Sequence, residues 1–138
     1  MNPNIYQEVK GVAVDLANAS AVDDVKAQWS HYQKLQQICI ENENGENNHP
    51  FQWEALGDFT SDNNLALEIY QNALDLALRL KLDEYSASIN LAMAERYRDL
   101  GDKEKAHSFA AQADVFANKL DILELRKEVS EFLLDICQ

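Results

Sequence analysis

Ala94, Tyr97, Gly101, Ala106, Ala110 and Ala113 follow one another at the spacing at which two antiparallel helices pack as a single hairpin. Small residues at those positions let two backbones approach closely. A hairpin built this way cannot bury its apolar face alone and must stack on neighbours. The chain therefore reads as all-α, with antiparallel helical hairpins stacked as a short α-solenoid of about seven helices. Four Gly and two Pro are few, and no long run of Val, Ile or Thr offers a sheet. At 138 residues the whole of 1–138 makes one domain, large enough to bury its own core.

Asn2 caps a first helix and Pro3 sits in its opening turn, where a missing N–H costs nothing; Ile5, Val9, Val12 and Leu16 make one stripe. Ser20 opens a second helix to Glu41, striped by Val22, Val25, Trp29, Tyr32, Leu35, Ile38 and Cys39. Together these form a first hairpin, 1–41. Residues 42–49 hold no apolar side chain and many turn formers, so they read as a polar loop. Pro50 opens a short third helix with Phe51, Ala55, Leu56 and Phe59 on its apolar side. The fourth helix carries a wide band, Leu65, Ala66, Ile69, Tyr70, Ala73, Leu76, Ala77 and Leu80, and must touch helices on two sides. Asp83 caps a fifth helix, Gly101-Asp102 turns the chain, and a sixth runs to about Lys119. Asp121 starts a last helix, 121–138. Its Ile122, Leu125, Val129, Phe132 and Ile136 face back, while Glu124, Lys127, Glu128, Glu131 and Asp135 face water as a solvating cap.

On these residues the chain resembles the tetratricopeptide repeat family over 50–120, in two repeats. Trp53, Leu56 and Gly57 match a first helix A, with Ala66, Tyr70 and Ala73 on its helix B. Met93, Ala94, Tyr97 and Gly101, followed by Ala106, Ala110 and Ala113, match the next. Ala66 and Ala106 lie 40 residues apart and Lys81-Leu82-Asp83 recurs 38 residues on at Lys119, so this resembles the long-helix variety. The first hairpin is divergent, because Ala27, His31 and Lys34 stand where Ala, aromatic and Ala belong. The resemblance implies a groove lined by the A helices, which carries onto Glu54 and Asp58 and onto Glu95, Arg98 and Asp99. Leu91 and Glu95 occupy the places of the basic clamp by which some members grip a C-terminal carboxylate, so that mode is disfavoured. Phe51, Phe59 and Tyr85 are the aromatic anchors expected to stay partly exposed.

The formal charge is −12, and from residue 35 to residue 78 there is no Lys or Arg while eight carboxylates occur. Nucleic acid and anionic membrane are polyanions that demand clustered Lys or Arg, so both are excluded as partners. A basic protein surface is the complementary ligand, although an acidic surface that serves only solubility explains the same run. Cys39 and Cys137 sit in no metal or redox spacing, and His31, His49 and His107 belong to separate elements. No catalytic motif, cofactor loop or metal site is present in the pattern, no stretch spans a membrane, and no signal peptide opens the chain. The sequence thus predicts a cytoplasmic, non-enzymatic module that captures one protein, as a dedicated inhibitor, an immunity protein against a basic toxin or a secretion chaperone. An adaptor or scaffold is the alternative, as a monomer or as a homodimer through exposed apolar residues of its end helices. An enzyme is the least supported class.

Overall fold

The computed structural model describes residues 1–137, so Gln138 of the last expected helix lies outside the described residues. Seven α-helices follow one another: α1 (Pro3–Ala21), α2 (Val25–Glu41), α3 (Pro50–Asp58), α4 (Asn63–Arg79), α5 (Asp83–Asp99), α6 (Lys103–Ala117) and α7 (Leu123–Ile136). The described residues contain no strand. Each helix packs on the next, and α1 on α3, α3 on α5 and α5 on α7 build a second set of contacts. The odd-numbered helices thereby form one layer of the stack and the even-numbered helices the other. Among the described residues no helix is long and apolar enough to cross a membrane.

Two apolar clusters hold the stack. The larger one joins α1 to α5 through Val9, Leu16, Leu35, Leu56, Tyr70, Leu76, Ile89 and Met93. The second joins α5, α6 and α7 through Leu91, Ala94, Ala106, Ala110, Ala113, Val129 and Phe132. The Tyr97 and Phe109 rings, stacked with centroids 5.2 Å apart, border both clusters. The small residues act as the spacing implied. Ala106, Ala110 and Ala113 are fully buried, and Gly57 lies under the Tyr70 ring, where a Cβ would come within 2.6 Å of a ring carbon.

Three hairpin turns share one geometry. Asp23, Lys81 and Gly101 all take positive φ, at 53°, 57° and 79°. In each case the following N–H reaches back to a carbonyl in the last turn of the helix: Asp24 to Ala19, Leu82 to Ala77 and Asp102 to Tyr97, each at 2.9 Å. This is a left-handed C-terminal closure that satisfies carbonyls the helix leaves open.

Several expected boundaries are corrected. The first helix continues to Ala21, and α2 is capped by Asp24, which accepts from the Ala27 N–H at 3.1 Å, rather than opened by Ser20. Asp83 is not a cap: Leu82 holds that position with no side-chain bond, and Asp83 sits in the first turn. Asp121 likewise precedes α7, whose cap position is Ile122. The α2 stripe is buried only at Leu35, Ile38 and Cys39; Val22, Val25 and Trp29 are exposed. The 42–49 loop is anchored rather than free. Asn48 Oδ1 accepts from Trp53 Nε1 at 2.7 Å and from Gln52 Nε2 at 3.2 Å, and His49 Nδ1 accepts from the Phe51 N–H at 3.1 Å.

Candidate functional site: an acidic groove across three helices

Residues four apart on a helix share a face, so Glu54 and Asp58 of α3 point the same way. Opposite them α5 presents Ser88, Leu91, Ala92 and Glu95, and α7 adds Leu125 and Glu128. These side chains line a groove of about 220 Å³. Four of the eight lining residues are carboxylates and none is Lys or Arg.

Two of the carboxylates are tied to the scaffold. The Ser88 hydroxyl donates to Glu54 Oε2 at 2.6 Å, joining α5 to α3. The Tyr70 hydroxyl donates to Asp58 Oδ1 at 2.6 Å. Behind this wall the Arg96 guanidinium donates to the Gly57 carbonyl at 3.1 Å and to Asn63 Oδ1 at 3.2 Å, fixing α5 to the α3–α4 turn.

Burial dominates the electrostatics. It pushes the Glu54 carboxyl up to about 7 against the opposing Ser88 hydrogen bond, and the negative charges of Asp58 and Glu84 add to the rise. Asp58 keeps solvent exposure as a whole residue, yet burial of its carboxyl raises it above the ordinary range, with Tyr70 and Arg96 pulling the other way. Glu95 rises for the same reason, reinforced by Glu128 and opposed by Arg98. Carboxylates crowded in this way gain from any positive group brought among them, whether a proton or a basic side chain.

Three of the expected groove residues, Glu54, Asp58 and Glu95, are brought together. The other expected residues are placed elsewhere. Arg98 turns to α7, where it pairs with Asp135 at 3.6 Å and covers the Phe132 ring at 4.8 Å. Asp99 is the last residue of α5, is exposed and does not line the groove. The three aromatic residues are half-buried and also lie outside it. Phe51 stacks on Tyr6 of α1 at 5.0 Å, and Tyr85 meets His49 edge-on at 5.0 Å, an aromatic cluster that fastens the 42–49 loop to α1 and α5. Burial there lowers His49 to about 4, with the chain's N-terminal charge contributing. Phe59 lines a second cleft, bounded by α1, α2 and the α3–α4 turn, which meets the groove at Asp58.

Glu128 is the groove residue that the sequence reading leaves out. It is exposed, as the pattern of α7 implies, and it also completes the acidic wall. Its spacing from Leu125 and Phe132 is the signal that puts it on the edge of the inward face. Both cysteines are free: Cys39 is buried, its thiol donates to the Gln52 carbonyl at 3.3 Å and burial pushes it up to about 12, while Cys137 is exposed. Compared with known protein families, curated proteins and solved structures, the chain matches none of them.

Proposed function

We propose that this chain is a non-enzymatic binding module of tetratricopeptide-like type, acting in the cytoplasm, that captures a basic segment of a protein partner in the α3–α5–α7 groove. The observation that carries the reading is the convergence of Glu54, Asp58, Glu95 and Glu128 from three separate helices with no lining cation to neutralise them. A surface that serves solubility alone interleaves both signs and has no reason to gather four carboxylates in one concavity. Leu91, Ala92 and Leu125 supply the apolar floor on which the stem of a Lys or Arg side chain rests while its charged end meets the carboxylates. A dedicated inhibitor, an immunity protein and a secretion chaperone all use such capture. An adaptor that joins larger machinery through the same groove is the second reading, favoured by the stacked architecture itself.

Titration of the isotopically labelled protein with an oligolysine peptide, followed by amide NMR, tests the groove directly. The expected result is shifts concentrated at Ser88, Leu91, Ala92 and Glu95, lost at high salt because exposed charges are screened. The double variant Glu95→Lys with Glu128→Lys should abolish them with the fold intact, since neither side chain holds a structural hydrogen bond in the way Glu54 and Asp58 do. Shifts scattered evenly over the acidic surface, and unchanged in the double variant, overturn the reading.

A further inference from the structure

The apolar stripe of α2 continues past the core that covers it. Leu35, Ile38 and Cys39 are buried, but Val25 is 73 % exposed and Trp29 63 %, and Val22 in the turn before the helix is 75 % exposed. Beside Val25 and Trp29 opens the cleft of about 550 Å³, whose other apolar walls come from Leu16 of α1, Phe59 at the end of α3 and Leu65 of α4. It is larger than the acidic groove and chemically different. An exposed Trp at the mouth of an apolar cleft is the composition of an interface centre, where aromatic side chains seated in pockets contribute most.

The charges around it select the occupant. Asp58 and Asp62 line the cleft, and Asp23 and Asp24 sit in the α1–α2 turn between two of its lining residues, Ser20 and Val25. The one lining cation, Arg96, already donates to Asn63 and to the Gly57 carbonyl. A second copy of this chain would bring the same carboxylates face to face, on a molecule of formal charge −12. An extended peptide would lay unpaired backbone groups against apolar helix walls, with no strand edge among the described residues to receive them. A helix satisfies its own backbone and presents side chains along one ridge.

We propose that this cleft docks an amphipathic helix of a partner protein, with its apolar face on Trp29 and Phe59 and its flanking Lys or Arg side chains against Asp58 and Asp62. The inference shares with the proposed function the positive charge of the partner and one residue, Asp58, which lines both the cleft and the groove; the other lining residues are distinct. Two synthetic peptides test it, helical with the same leucine face and with either Lys or Glu on the polar face. Trp29 is the reporter, because Trp53 is only 8 % exposed. The Lys-faced peptide should shift the emission to the blue and protect it from acrylamide. Its affinity should fall about tenfold for Val25→Ser, and the Glu-faced peptide should bind about tenfold more weakly to the unaltered chain. Glu95→Gln with Glu128→Gln should leave Lys-peptide affinity within about twofold, since charges remote from a contact change it little.

Equal binding of both peptides, or binding of neither, overturns the proposal. Loss of binding in the groove variant with retention in Val25→Ser overturns it too and assigns the peptide to the groove, whereas failure of oligolysine to reach the groove leaves the cleft result standing. A dimer in sedimentation equilibrium that Trp29→Ser dissolves would show a second copy as the occupant and equally overturn it.

Discussion

Glu54 ties the acidic groove to the stability of the fold. Its carboxyl rises from an ordinary 4.5 to about 7 because folding buries it. Below pH 4.5 both the folded and unfolded forms are protonated and burial carries no charge penalty. Between 4.5 and 7 the unfolded chain releases its proton while the folded one holds it, so stability falls as pH rises through that window, and above it the loss is complete. Glu54→Gln should remove this fall and leave the protein more stable at pH 8 by on the order of 1–3 kcal/mol, read as the difference between urea melts of the two proteins at acid and alkaline pH. A pH-independent difference would mean that Glu54 is solvated. Gly57 fixes the opposite end of the same short helix. Gly57→Ala should destabilise by about 1–3 kcal/mol, because the new Cβ would sit 2.6 Å from the Tyr70 ring. Gly11→Ala, with nothing near its Cβ and a helical position, should stabilise by about 0.5–1 kcal/mol in the same melts.

At the scale of elements, the shared turn geometry separates what sequence pattern can and cannot reveal. Gly101 announces its turn, since glycine tolerates positive φ without strain. Lys81 occupies the equivalent place with φ 57° and gives no such notice. Lys81→Gly should therefore raise stability by about 0.5–1 kcal/mol and Gly101→Ala lower it by about 1 kcal/mol, each checked by thermal melting. Equal and opposite failure of both would mean that the turns are not under this constraint. The positions of the helices were readable because apolar residues repeat at helical period, and the face of each was readable too. How far a face is covered was not. The stripe of α2 is uniform from Val25 to Cys39, but coverage depends on where the neighbouring helices end in space, and the period of one helix contains nothing about that. The same limit explains the site. Glu54, Asp58 and Glu95 follow from their own helices, Arg98 is drawn away by Asp135 of α7, and Glu128 joins the groove because α7 closes over α5.

Across the whole molecule the packing is uneven. The cluster joining α1 to α5 is rich in large side chains, whereas the one joining α5 to α7 consists mostly of alanines, with Leu91, Val129 and Phe132 as its larger members. Alanine buries little area, so each contact there contributes less apolar stabilisation. Native-state hydrogen exchange should find α7 amides opening at lower free energy than those of α4, and Phe132→Ala should widen that gap. Uniform exchange from α4 to α7 would show a single cooperative unit instead. Opening of α7 would also remove Leu125 and Glu128 from the groove, so the acidic site is complete only while the weaker end of the stack is closed.

The smallest helix of the stack is also the one held at most points. Over nine residues, α3 has its start fixed by Trp53 on Asn48 and its end by Tyr70 on Gly57 and Asp58, with Arg96 gripping the Gly57 carbonyl. A cylinder so short has few turns with which to resist rolling about its long axis. Clamped from both ends, it is indexed like a keyed shaft, and the aim of Glu54 and Asp58 is set by Asn48, Tyr70 and Arg96, none of which lines the groove.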